Sequence, residues 1–175
     1  MKPVAALALP LITGCAQTPS ATVTEVLAHC AAYKGKTVQV AGYLGDCGGN
    51  DCFLFRDLSH ERAFVTLLEK LRKLRQERQA GKEVGRGPED EAWDRLHEIW
   101  PMGVGFKPEV EPRLSAFGER YVILTGRIND DSCIGEGTDR VEGIAPTDVR
   151  AWTKAAGAPT DADNHTPLRL TTTLI

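Results

Sequence analysis

Four cysteines, Cys30, Cys47, Cys52 and Cys133, carry the most distinctive chemistry in the chain. In an oxidising compartment an even set of this kind forms two disulfides, and three pairings are open. Cys47 and Cys52 flank a four-residue turn and would sit nearly opposite each other in a hairpin, at a separation that suits a cross-strand bridge. Their spacing is not the C-x-x-C of a thioredoxin-type redox site. The histidines His29, His60, His97 and His165 show no metal-ligand spacing and are read as solvated. Asp130, Asp131, Glu136 and Asp139 crowd one loop, but their order fits no calcium loop. No metal or other cofactor is therefore expected. The chain has no G-x-S-x-G elbow and no phosphate-loop or dinucleotide fingerprint, and Gly103-Val104-Gly105 is too short to count as one.

Lys70, Arg72, Lys73, Arg75 and Arg78 crowd one helical stretch. Residues 58–86 hold eight basic and four acidic residues, whereas the whole chain has a formal net charge of −3. A solvated helix face is the plain reading. The functional reading is contact with anionic lipid or an acidic partner. The overall charge balance argues against a nucleic-acid binder.

The first residues have the layout of a secretory signal: Lys2 supplies a positive charge, and residues 3–13 are uncharged and mostly apolar. That run is about half of the ~20 residues a spanning helix needs. Ile12-Thr13-Gly14-Cys15 resembles the lipobox of bacterial lipoproteins. The resemblance implies diacylation of the Cys15 thiol, cleavage before it, and an envelope protein anchored to the membrane and facing the periplasm. By likeness to enterobacterial sorting, Ala16 in place of Asp points to the outer membrane. On this reading residues 1–14 are the signal peptide and 15–21 a polar tether.

Residues 22–156 make one domain. Thr22 or Thr24 can cap a helix over about 25–32. Residues 37–45 alternate, with Val38, Val40 and Leu44 on one side and Thr37, Gln39, Ala41 and Tyr43 on the other, so they read as a half-buried strand with a bend or bulge at Gly42. Residues 52–56 return as the second arm of a hairpin. Phe64, Leu67, Leu68, Leu71 and Leu74 recur at helical spacing behind Ser59 as a candidate cap, although residues 63–68 taken alone also fit a strand. Trp93, Leu96 and Trp100 share one side of a second helix over about 88–99. Residues 102–106 are a short strand candidate, and residues 120–128 are the clearest strand. Pro146 breaks a last strand into two pieces, 140–144 and 147–152. Residues 157–175 lack a pattern and are expected to be a mobile tail.

The segments at 33–44 and 117–128 both carry V-x-V/L-x-G-x-L/I. The first of them reads Y-x-G-K-x-V-x-V-x-G, and this pair resembles small exported bacterial proteins with an oligonucleotide/oligosaccharide-binding-like (OB-like) barrel. The resemblance implies a mainly β domain with helical additions (α+β). It would be a five-stranded barrel with an N-terminal helix and a helical insertion, about 58–98, between strands two and three. It also implies a second disulfide, Cys30–Cys133, because the end of strand four lies near the start of strand one in such a barrel. No catalytic set accompanies the pattern. The leading expectation is a non-enzymatic module that binds a small ligand or an envelope protein. The alternatives are an envelope hydrolase or redox enzyme assembled only in three dimensions, and an accessory subunit that docks through the insertion.

Overall fold

A computed structural model describes residues 20–47, 52–82, 86–105, 107–135 and 142–152. The expected signal, Cys15, Glu136, Asp139, His165 and the expected tail lie outside them. The elements are β1 (Ser20–Thr22), α1 (Val23–Ala28), α2 (Cys30–Tyr33), β2 (Thr37–Leu44), β3 (Phe53–Phe55), α3 (Leu58–Gln79), α4 (Arg86–Glu98), β4 (Met102–Gly103), α5 (Glu111–Ala116), β5 (Arg120–Ile128) and β6 (Ile144–Ala151). The fold is α+β.

The alternation in β2 and β5 decides which face is buried. Val38, Val40 and Leu44 of β2 and Val122, Leu124 and Ile128 of β5 are fully covered on one face of the sheet. The two strands pair antiparallel over their length, with Val38 opposite Gly126 and Gly42 opposite Val122. The two copies of the repeated motif are thus neighbours. The sheet order is β4-β3-β2-β5-β6, and β1 pairs with β2. A parallel bridge also joins Val104, beyond β4, to Ile144 at the start of β6. A Cβ at Gly42 would come within 2.6 Å of the Phe55 carbonyl oxygen and 2.7 Å of Val23 Cγ2. Close backbone approach is therefore what this glycine permits.

Ser20 and Ala21, the first two residues of β1, were expected to be tether. Instead β1 lies parallel to β2, with Ser20, Ala21 and Thr22 opposite Gln39, Val40 and Ala41. β3 pairs with β2 only at Tyr43 and Leu44, so β1 covers backbone that the short hairpin leaves unpaired. The Thr22 hydroxyl accepts from the Glu25 N–H at 3.3 Å and starts α1. The single helix expected over 25–32 is interrupted at His29 (φ −133°), whose N–H bonds to the Val26 carbonyl, three residues back instead of four.

Pro146 does not break the last strand. Gly126 pairs with Pro146 and Thr125 with Asp148, so Thr147 is an extra residue in a bulge that absorbs the proline. The Thr147 hydroxyl donates to the Thr125 carbonyl at 3.1 Å.

Two apolar cores result. The first lies under the sheet and takes Val26, Cys30, Met102, Val104, Val110 and Leu114 besides the strands; no residue of α3 or α4 enters it. The second sits on the opposite face, where Tyr43 and Phe55 meet Phe64 and Leu71 of α3 and Ala92 and Leu96 of α4.

Candidate functional site

Residues 63–68 are helical, and the stripe of Phe64, Leu67, Leu68 and Leu71 seats α3 on the second core. The cap of α3 is Asp57, not Ser59. The Asp57 carboxylate accepts from the His60 N–H at 2.7 Å, from Arg56 Nε at 2.8 Å and from the Ser59 hydroxyl. Burial pushes this carboxyl up, but those hydrogen bonds from Ser59, Arg56 and His60 outweigh it and hold it below its ordinary value.

His60 is partly buried beside the cap. Its Nε2 lies 2.7 Å from the Ile99 carbonyl oxygen, an acceptor, so Nε2 carries the hydrogen. Its Nδ1 accepts from the Arg56 N–H at 3.2 Å. Burial lowers its pKa below 6.5. Asp57, Ser59 and His60 bring together the residue types of a nucleophile relay, but the Ser59 hydroxyl points to Asp57 and both His60 nitrogens face backbone groups. The arrangement caps a helix and has no serine–histidine bond through which to activate a nucleophile.

Further along, α3 and α4 form a hairpin. The Arg75 guanidinium lies 5.4 Å from the Trp93 ring centroid. Arg75, at 3.6 Å, and Arg78 both pair with Glu89, a buried carboxylate. Trp93, His97 and Trp100 stack in succession, with centroids 5.4 and 5.8 Å apart. Along α3 is a cavity of about 460 Å³ lined by Leu68, Leu71, Arg72, Arg75, Gln76 and Gln79, with Trp93 of α4 at its side. Its apolar floor and guanidinium–amide rim can take an apolar side chain together with a carboxylate.

Of the five basic residues singled out from sequence, Arg75 and Arg78 are therefore used within the hairpin. Lys70, Arg72 and Lys73 are exposed and make no ion pair among the described residues. Arg72 lines the cavity, whereas Lys70 and Lys73 do not. Gln76 and Gln79 were missed, although positions 68, 72, 76 and 79 share one helical face.

The cysteines form Cys30–Cys133 and Cys47–Cys52 bridges, with Cα separations of 5.7 and 4.5 Å. Within the acidic loop, Asp130 accepts from the N–H groups of Ser132 and Cys133 at 2.9 and 2.6 Å, and Asp131 pairs with Lys34 at 2.7 Å. These two acids therefore shape the turn that presents Cys133. His29 is exposed. Among the described residues, no group of three or more His, Cys, Asp or Glu side chains could hold a metal ion, and no helix is long and apolar enough to cross a membrane.

A second cavity, of about 360 Å³, lies at the Thr37 end of the sheet and is lined by Thr37, Lys107, Arg127, Asn129, Glu142 and Thr147, with Gly105 and Ala145. No sequence signal links these residues, which come together only through strand pairing. No protein family, curated protein or solved structure matches the chain.

Proposed function

We propose that this protein is a non-enzymatic lipoprotein of the bacterial cell envelope. It is acylated at Cys15, faces the periplasm from the outer membrane, and uses the α3–α4 hairpin to bind an acidic segment of another envelope protein. The observation that carries the binding reading is the cavity that Arg72, unpaired among the described residues, shares with Leu68, Leu71 and Trp93. Export is supported by the two disulfides, which persist in oxidising compartments.

On the same reading the sheet closes as an OB-like barrel. The strand order β4-β3-β2-β5-β6 and the Val104–Ile144 bridge between its two ends support closure. The barrel is then the scaffold, and the hairpin inserted between its second and third strands is the binding arm.

The test is a photo-crosslinking residue placed at Gln76 in the full chain, expressed in its own envelope. A discrete adduct that disappears with Arg72→Glu, while the exported protein stays folded and abundant, supports the reading. An adduct indifferent to that substitution, or none at Gln76 when one forms at exposed Thr66, overturns it.

A further inference from the structure

The direction of β1 fixes where a Cys15 anchor would hold the domain. Ser20 lies opposite Gln39 and β1 runs parallel to β2, so the start of β1 faces the Thr37 end. Cys15 is five residues ahead of Ser20, a reach of at most about 18 Å even when fully extended. The helical hairpin is at the other end of β2. His60 packs on Phe55, Phe64 packs on both Phe55 and Phe53, and Phe55 pairs with Tyr43. α3 therefore climbs from Phe55 toward Phe53, away from Thr37, and its 22 residues span about 33 Å.

The Thr37 end carries basic residues beside the acidic turn of Asp130 and Asp131. Arg127 pairs across the sheet with Thr37, and Lys36 accepts the Ile128 N–H through its carbonyl. Lys107 and Arg127 line the 360 Å³ cavity with Asn129, Thr37 and Thr147, the last with its hydroxyl donated to the Thr125 carbonyl, so the amide of Asn129 and the hydroxyl of Thr37 are the neutral donors; Glu142 is the one acid there. Lys36, Lys107 and Arg127 are exposed and form no ion pair among the described residues, whereas nearby Lys34 is paired with Asp131.

We propose that this end of the sheet, and not the basic helix α3, is the surface that rests on an anionic bilayer, with Lys36, Lys107 and Arg127 meeting headgroup phosphates. The inference rests on the reading that Cys15 is acylated. Guanidinium, ammonium, amide and hydroxyl donors around one cavity are the set that phosphate oxygens accept from. A domain held within about 18 Å of its anchor presents the nearest face to the lipid. The hairpin then points away from the membrane, where a protein partner can reach it.

The chain's own lysines report the orientation. Protein purified from envelopes is reconstituted into phosphatidylcholine/phosphatidylglycerol vesicles and treated briefly with an amine-acetylating reagent, then digested and weighed. Lys36 and Lys107 should react at least fivefold more slowly than in the soluble Cys15→Ser form, and Lys70 and Lys73 within twofold of it. In pure phosphatidylcholine vesicles the protection at Lys36 and Lys107 should shrink. Protection of Lys70 and Lys73, or of neither pair, with acyl chains present on Cys15, overturns the orientation and leaves the anchor intact. A mass showing Cys15 without acyl chains overturns the anchor and the orientation with it.

Discussion

His60 Nε2 lies 2.7 Å from the carbonyl oxygen of Ile99, which ties the first turn of α3 to the residue that follows α4. This bond closes the base of the hairpin, 39 residues apart in sequence. The Ile99 bond uses the Nε2 hydrogen and survives protonation of the ring, whereas the bond that Nδ1 accepts from the Arg56 N–H needs Nδ1 unprotonated.

A pH dependence follows. Burial depresses the folded pKa of His60 below 6.5, so in the window between the two values the unfolded chain binds a proton that the folded chain does not. The stability from neutral His60 is complete above about pH 6.5 and is lost as pH falls through the lowered value. Urea midpoints should therefore drop between pH 7.5 and 5.5. His60→Ala should cost about 1–3 kcal/mol at pH 7.5, because two hydrogen bonds, to the part-buried Ile99 carbonyl and from the Arg56 N–H, are lost, and should flatten the pH profile. Parallel profiles for the two proteins would remove His60 from this role.

The two disulfides should contribute unequally. Cys30–Cys133 joins residues 103 apart, and the chain-entropy estimate for such a loop is about 4.7 kcal/mol. Cys47–Cys52 closes a loop of sequence separation 5 and should contribute less than the ~3 kcal/mol of a 15-residue loop. Urea unfolding of the paired Cys→Ala variants measures both. A larger loss from Cys47–Cys52 would contradict the ranking.

Replacing residues 60–97 with a Gly/Ser linker should leave the first core folded, since no α3 or α4 side chain enters it. Tyr43, Phe55 and Tyr121 would then be uncovered, and the product should self-associate in sedimentation. Adding Tyr43→Thr and Phe55→Thr should restore a monomer. In the intact chain, Phe64→Ala should cost about 3–5 kcal/mol. Loss of native circular dichroism in both shortened proteins would show that the cores are inseparable.

Glycines offer an internal comparison. A Cβ at Gly126 would meet the Ala145 carbonyl at 2.5 Å and Ile144 Cγ1 at 2.8 Å, so Gly126→Ala should destabilise by about 1–3 kcal/mol as the bulge shifts. At Gly87, within α4, a Cβ meets nothing within 4 Å, and Gly87→Ala should stabilise by about 0.5–1 kcal/mol. Thermal melts of the two variants should move in opposite directions.

What the sequence revealed depended on the length and regularity of each signal. The alternation of β5 spans nine residues, and the stripe from Phe64 to Leu71 repeats at 3.6-residue spacing, so both could be read directly. β1 has three residues and no period, and only the neighbouring strand makes it a strand. α5 was missed because it is six residues long and buries only Leu114. Pro146 was misread because its bulge depends on pairing with Thr125 and Gly126, which no local pattern encodes. The basic run on α3 was visible, but not that Arg75 and Arg78 are committed to Glu89 while Arg72 is left to the cavity.

The parallel placement of β1 on β2 also has a mechanical consequence. A force transmitted through the residues before Ser20 acts along the strand axis, while the β1–β2 hydrogen bonds run across it. Such a load strains the paired residues together in shear instead of peeling them apart one at a time. Cys30–Cys133 links α2, which follows β1 through α1, to the turn beyond β5, so tension that passes β1 reaches a covalent bond before it reaches the sheet's far strands. The three residues that close an open edge therefore also serve as a strain relief for the domain.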